Sequence, residues 1–132
     1  QFAFDHFADN PHKPVNITTD TIVYTGTHDN DTCVGWFEGL QPDEREFVFQ
    51  VLGVAPRGDI ADLMIETAMH SEACLAMAPL QDFLGLDSGA RMNTPGVTGG
   101  NWRWRFDWAM LPPGLEERIR VLSQASGRCD AR

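Results

Sequence analysis

The period of the apolar positions changes several times along the chain, and each change marks an element. The opening Gln1-Phe2-Ala3-Phe4-Asp5 spaces its two aromatics by two, the pattern of a strand entered midway. Asp9-Asn10-Pro11 and Lys13-Pro14 predict a loop over residues 6–20. Thr21-Ile22-Val23-Tyr24-Thr25 is β-branched and aromatic, which predicts a strand ending at Gly26. From Pro42 the period lengthens to that of a helix. Pro42 suits a first turn, Asp43 and Glu44 suit its positive end, and Gly53 suits its stop. Phe47, Val48, Val51 and Leu52 then share one face. A second helix is predicted over residues 59–71, with Ile60, Leu63, Met64 and Ala68 at helical spacing. The continuous apolar run from Ala73 to Ala78 predicts a strand buried on both faces. A Gly-rich loop follows over residues 85–100. The last helix is predicted over residues 115–126, apolar at Leu115, Ile119 and Leu122, with Gly127 as its stop.

Strands alternate with helices in this order, so the class is α/β with a parallel sheet. About three parallel strands with this much intervening loop make a poor free-standing unit. The expectation is therefore the C-terminal part of a (β/α)8 barrel, incomplete in this chain. Residues 1–132 then form a single partial domain that needs the N-terminal remainder of its own barrel. The abrupt start inside a strand pattern, without Met, supports the same expectation.

Composition narrows the partners. The chain is 42% hydrophobic and 22% charged, with four Trp and eight Phe that need burial, so disorder is not expected. The formal net charge of −9 disfavours nucleic acid, whose phosphates demand Lys and Arg patches. No apolar run approaches the ~20 residues of a membrane span. The cysteines are Cys33, Cys74 and Cys129, an odd number without a CxxC pair. That pattern predicts a reduced, cytoplasmic chain with neither a disulfide framework nor a zinc site. His6, His12 and His70 have no partner pattern and read as structural or solvated.

In a barrel, chemistry sits on the loops just after the strands. Two loops here occupy that place. The first is Thr27-His28-Asp29-Asn30-Asp31. A carboxylate there can accept from two adjacent sugar hydroxyls while the neighbouring imidazole donates. The alternative is a polar turn in which Asp29 or Asp31 caps a loop. A calcium loop of the EF-hand type is excluded, because counting from Asp29 places Cys33 and Val34 at its fifth and sixth positions. The second loop runs from Pro79-Leu80-Gln81-Asp82 to Arg91-Met92-Asn93-Thr94-Pro95-Gly96. Asp82 and Arg91 are positioned to pair and hold it, and the amides of Gln81 and Asn93 to meet sugar hydroxyls. A purely structural loop is the alternative, although loops this long are uncommon without a function. Asn101-Trp102-Arg103-Trp104-Arg105 suggests single-stranded nucleic acid by stacking and charge. Overall acidity argues instead for Trp side chains packing the barrel's end against the last helix.

Several of these segments resemble the amylomaltases, the 4-alpha-glucanotransferases of glycoside hydrolase family 77. The resemblance lies in Tyr24-Thr25-Gly26-Thr27-His28-Asp29-Asn30-Asp31-Thr32 with Gly35-Trp36, then Pro79-Leu80-Gln81-Asp82. It continues in Ala90-Arg91-Met92-Asn93-Thr94-Pro95-Gly96 and Asn101-Trp102-Arg103-Trp104-Arg105, and covers nearly the whole chain. It implies a retaining (β/α)8 enzyme that cuts an α-1,4-glucan and passes the piece to another glucan's 4-hydroxyl. It implies three carboxylates: a nucleophilic Asp, a Glu as acid and base, and a third Asp that grips sugar hydroxyls. Asp29 matches the third, His28 its neighbour, and Asn93 a residue near the bound sugar. Gln81 joins them as a candidate sugar contact, and Asp82, Arg91 and Trp102 as loop-positioning residues. The nucleophile and the acid/base belong to earlier strands of the family's barrel. Asp87-Ser88-Gly89 departs from the Gly-Ser-Glu-like run expected there. No cofactor and no metal are implied; the partner is a maltooligosaccharide or α-1,4-glucan. An α-amylase-type hydrolase and a non-catalytic glucan-binding module are the alternatives.

Overall fold

Two short strands lie side by side in the computed structural model, which describes residues 1–56 and 58–129. Strand β1 (Ile22–Tyr24) pairs in parallel with β2 (Leu75–Met77), with Ile22 opposite Leu75, Val23 opposite Ala76 and Tyr24 opposite Met77. The ladder runs on at both ends, because Cys74 N donates to Thr21 O (3.0 Å) and Thr25 N to Met77 O (3.2 Å). Parallel strands cannot be joined by a tight turn, so a long crossover connects them. It consists of α1 (Cys33–Glu38), α2 (Pro42–Leu52) and α3 (Ile60–Met69). After β2 come a single helical turn, α4 (Leu80–Phe83), a short 3-10 turn at Ser88–Ala90 and the last helix, α5 (Leu115–Ala125).

The helix ends follow from local chemistry. Gln41 and Glu44 close a capping box over Pro42, and Gly53 stops α2 at φ 67°, where a side chain is disfavoured. The Asp59 carboxyl accepts from Ala61 N at 2.8 Å and starts α3. This helix is the most buried element, with Ile60, Ala61, Leu63, Met64, Ile65 and Ala68 all hidden. Its face meets Cys33 and Val48, and Phe4, Trp36, Phe37 and Phe49 pack around that centre. Its C-terminus is closed from 59 residues away. Arg128 donates to the carbonyls of Met69 (2.6 Å), Ser71 (2.9 Å) and Ala73 (2.9 Å), taking up acceptors that a helix end leaves unpaired.

The structure departs from the sequence expectations in several places. Residues 1–5 form turns rather than a strand end. A strand exists only by pairing, and among the described residues β1 and β2 have only each other. Side chains hold this segment instead, with Gln1 Nε2 donating to Asp31 O (2.6 Å) and Asn10 Nδ2 to Phe2 O (2.8 Å). Among the described residues two strands are therefore present where about three were expected. Nor is β2 buried on both faces. Leu75 (47%) and Met77 (46%) are as exposed as their partners Ile22 (49%) and Tyr24 (46%), so one apolar face of the sheet lies open. A parallel sheet hides both faces only when further layers cover them, and here α3 packs on one side. The helices α1 and α4 were not expected, being too short to show a helical period.

Candidate active site

The loop after β1 begins at Thr25, which is buried, and reaches the surface at Thr27 and His28. Asn30 folds it back, since its Oδ1 accepts from Thr27 N (2.9 Å) and Thr27 Oγ1 (3.0 Å). Asn30 N also donates to Thr27 O (3.1 Å), closing a four-residue turn that leaves Asp29 exposed. Thr32 then caps α1, accepting from Gly35 N at 3.1 Å.

Beneath this loop lies Asp82, only 2% exposed. Its Oδ2 accepts from Thr25 Oγ1 (2.7 Å) and Cys33 Sγ (3.2 Å), and its Oδ1 from Cys33 N (2.8 Å). One carboxyl thereby joins the end of β1, the start of α1 and the turn after β2. Burial, then the charge of Asp82, then the hydrogen bond to it, push the Cys33 thiol far above its ordinary range. The pairing of Asp82 with Arg91 expected from sequence is not made. Both residues border one cleft, but the Asp82 carboxyl is taken up by Thr25 and Cys33 and the Arg91 guanidinium by Asp29, Asn93 and Asp31.

Arg91 faces the first loop. Its Nη2 donates to Asp29 O (2.8 Å), its Nε to Asn93 O (2.8 Å), and its Nη1 lies 3.7 Å from Asp31 Oδ2. Asp31 also accepts from Ser88 Oγ at 2.8 Å, so the departing Asp87-Ser88-Gly89 run makes a specific contact. The second loop closes on the first through Asn93, whose N donates to His28 O (3.0 Å). Its Nδ2 donates to Asp29 Oδ1 at 2.6 Å, and His28 Nε2 lies 3.3 Å from the same oxygen. Asn93, 64 positions along the chain, thus meets the adjacent pair His28 and Asp29 at one point.

Trp102 stands over this group. Its ring centroid is 5.1 Å from that of His28, and it is half exposed rather than packed against the last helix. It is the one non-glycine among the described residues with a positive φ, 60°, held there as its N donates to Met92 O (2.7 Å). Gln81 lies below, buried, with its amide nitrogen donating to Ala90 O (3.3 Å). Thr27, His28, Asp31, Gln81, Arg91 and Met92 line a cleft of about 130 Å³ here. A larger hollow of about 460 Å³ runs along β1 among Phe2, Ile22, Tyr24, Met64 and Ala68, and is apolar. Asp31, Ser88, Thr25 and Cys33 complete the local network without having been singled out for it. No sequence signal links residues 49 to 57 positions apart. Among the described residues no three His, Cys, Asp or Glu gather as metal ligands, and no helix is long and apolar enough to cross a membrane.

A short parallel ladder with polar loops meeting at its C-terminal end is the architecture of part of a (β/α)8 barrel. Comparison with known proteins carries this further. The family model for 4-alpha-glucanotransferases matches residues 1–110, and the chain belongs to this family. The chain is 52% identical over 127 residues to the chloroplastic/amyloplastic 4-alpha-glucanotransferase of Oryza sativa subsp. japonica, covering 96% of this chain and 21% of that protein. It is 41% identical over 135 residues to the 4-alpha-glucanotransferase of Thermus thermophilus, covering 97% and 27% respectively. Among solved structures, the amylomaltase from Streptococcus agalactiae in complex with acarbose superposes with a TM-score of 0.89 at 27% identity, over 98% of this chain and 26% of that one. The chain therefore spans between a fifth and about a quarter of the length of these relatives.

Proposed function

We propose that this chain is the part of a 4-alpha-glucanotransferase that grips the glucan at the reacting sugar, with Asp29 as the group that stabilises the transition state. The carrying observation is the outward carboxyl of Asp29, whose Oδ1 alone is held, by Asn93 Nδ2 at 2.6 Å and beside His28 Nε2 at 3.3 Å. Among the described residues both contacts fall on Oδ1, which leaves Oδ2 to accept sugar hydroxyls. Glycosyl transfer passes through an oxocarbenium-like state, and hydrogen bonds to ring hydroxyls that tighten there lower the barrier. His28 donates to a neighbouring hydroxyl, and Asn93 fixes the carboxyl in place. The nucleophile and the acid/base come from the remainder of the protein; no carboxylate of this chain is assigned either role.

The reaction is transfer of α-1,4-glucan segments between maltooligosaccharides through a covalent glycosyl-enzyme. The test is Asp29→Asn in the full-length protein, assayed on maltotriose for glucose and longer maltodextrins. Loss of this acceptor lowers turnover by about a hundredfold or more, the size of losing one transition-state hydrogen-bonding group. Wild-type turnover in the variant removes Asp29 from the role. The hydrolase alternative is read in the same assay, since shorter products alone mean that water, not a sugar, accepts the glucosyl unit.

A further inference from the structure

Asp29 is half exposed and sits on a loop, so packing does not fix it. Its backbone carbonyl has one donor among the described residues, Arg91 Nη2 at 2.8 Å, 62 positions along the chain. The same guanidinium donates from Nε to Asn93 O (2.8 Å), the residue whose amide meets the Asp29 carboxyl. Its third face turns to Asp31, which is itself tied to the Ser88 hydroxyl. One planar group therefore holds the backbone on both sides of the Asp29–Asn93 contact.

We propose that Arg91 is a positioning residue for catalysis: by clamping the Asp29 and Asn93 backbones together it sets where the Asp29 carboxyl meets the sugar. This rests on the role proposed above for Asp29. The guanidinium is suited to the task because its donors diverge in a fixed plane and reach two carbonyls at once, while its charge faces the Asp31 carboxylate at 3.7 Å. A lysine ammonium is a point charge on a flexible stem and cannot reproduce that fork. Arg91 touches no reacting atom in this arrangement. Its loss acts through Asp29, by letting the carboxyl drift from the geometry in which its hydrogen bonds strengthen at the transition state.

The experiment uses the full-length protein with Arg91→Lys, Arg91→Ala, Asp29→Asn and the Arg91→Ala/Asp29→Asn double variant. Maltotriose disproportionation gives kcat and KM, and circular dichroism gives the folded fraction. Arg91→Lys keeps charge and stem, so it keeps the fold. It is expected to lower kcat about tenfold or more, with KM changed less than about threefold, as loss of a supporting contact does. Arg91→Ala is expected to lower kcat further but to add nothing on top of Asp29→Asn, because both changes remove one function. Wild-type kcat in Arg91→Lys overturns the proposal, provided Asp29→Asn is impaired. So does a loss that merely tracks the folded fraction, or a full multiplicative loss in the double variant. If Asp29→Asn itself keeps wild-type turnover, the failure lies in the reading of Asp29.

Discussion

Thr25 Oγ1 donates to Asp82 Oδ2 across 2.7 Å in a fully buried position, joining residues 57 apart. The bond ties the residue after β1 to the helical turn that follows β2, and the same carboxyl takes Cys33 N and Sγ. Removing Asp82 leaves three donors without an acceptor in a dry site. Asp82→Ala is expected to destabilise the protein by about 3 kcal/mol or more, since each buried donor left unpaired costs about 1–3 kcal/mol. Denaturant unfolding of the full-length protein measures it. A loss below about 1 kcal/mol contradicts a structural role for this carboxyl.

Gly35 lies where α1 meets the Ser88–Ala90 turn. A Cβ at this position overlaps the Ser88 side chain and comes 2.7 Å from Ser88 N and 2.9 Å from Asp31 Oδ1. Gly→Ala inside a helix ordinarily gains about 1 kcal/mol from propensity. The overlap outweighs it, because overpacking a fixed backbone costs about 1–3 kcal/mol. Gly35→Ala is therefore expected to lower stability on balance and also turnover, since it displaces Ser88 and with it Arg91. A variant that melts higher than wild type refutes the close approach.

Trp102 occupies a left-handed backbone, φ 60°, that glycine adopts without strain. Trp102→Gly and Trp102→Ala both remove the indole from His28, but only the alanine keeps the strain. The glycine variant is expected to be the more stable of the two by about 1 kcal/mol. Equal melting temperatures show that the backbone relaxes once the indole is gone.

The Cys33 thiol has its pKa raised in the folded chain by burial, with the Asp82 charge and hydrogen bond adding to it. The unfolded thiol ionises near its ordinary pKa while the folded one stays protonated. The stability tied to Cys33 is thus intact below the unfolded pKa and falls as pH rises toward the folded one. The slope is about 1.4 kcal/mol per pH unit for one proton. Stability measured from pH 8 to 10.5 is expected to fall less steeply in Cys33→Ala than in wild type by about that slope. Parallel curves place the Cys33 pKa at its ordinary value.

The longer helices were legible in sequence because their ends carry local signals: Pro42 and Gly53 bound α2, Asp59 caps α3 and Gly127 follows α5. Each of those signals acts within a turn of the chain. Helix α1 gave none, being six residues with Gly35 inside it. The meeting of Asp29 with Asn93 depends on strand order, which brings the loops after β1 and β2 together. Sequence alone named both residues, through resemblance, but not the contact. The partner of Asp82 was misread for the opposite reason. Asp82 and Arg91 are near in sequence and opposite in charge, but each is claimed by partners about 50 to 60 positions away, Asp82 by Thr25 and Cys33 and Arg91 by the Asp29 loop. Phe2 and Phe4 spelled a strand that pairing alone could make.

The stitching of the two loops has a consequence for exchange of segments between related genes. Asp29, Asp31, Ser88, Arg91 and Asn93 form one interlocking set, and all lie on this stretch of chain. A chimera that takes residues 22–93 from one relative inherits the set whole. A junction in the linker between α2 and α3 mates the Asp29 loop of one parent with the Arg91 loop of the other. Such hybrids require that both lineages kept the same partners, so junctions outside this interval are the ones that preserve the site.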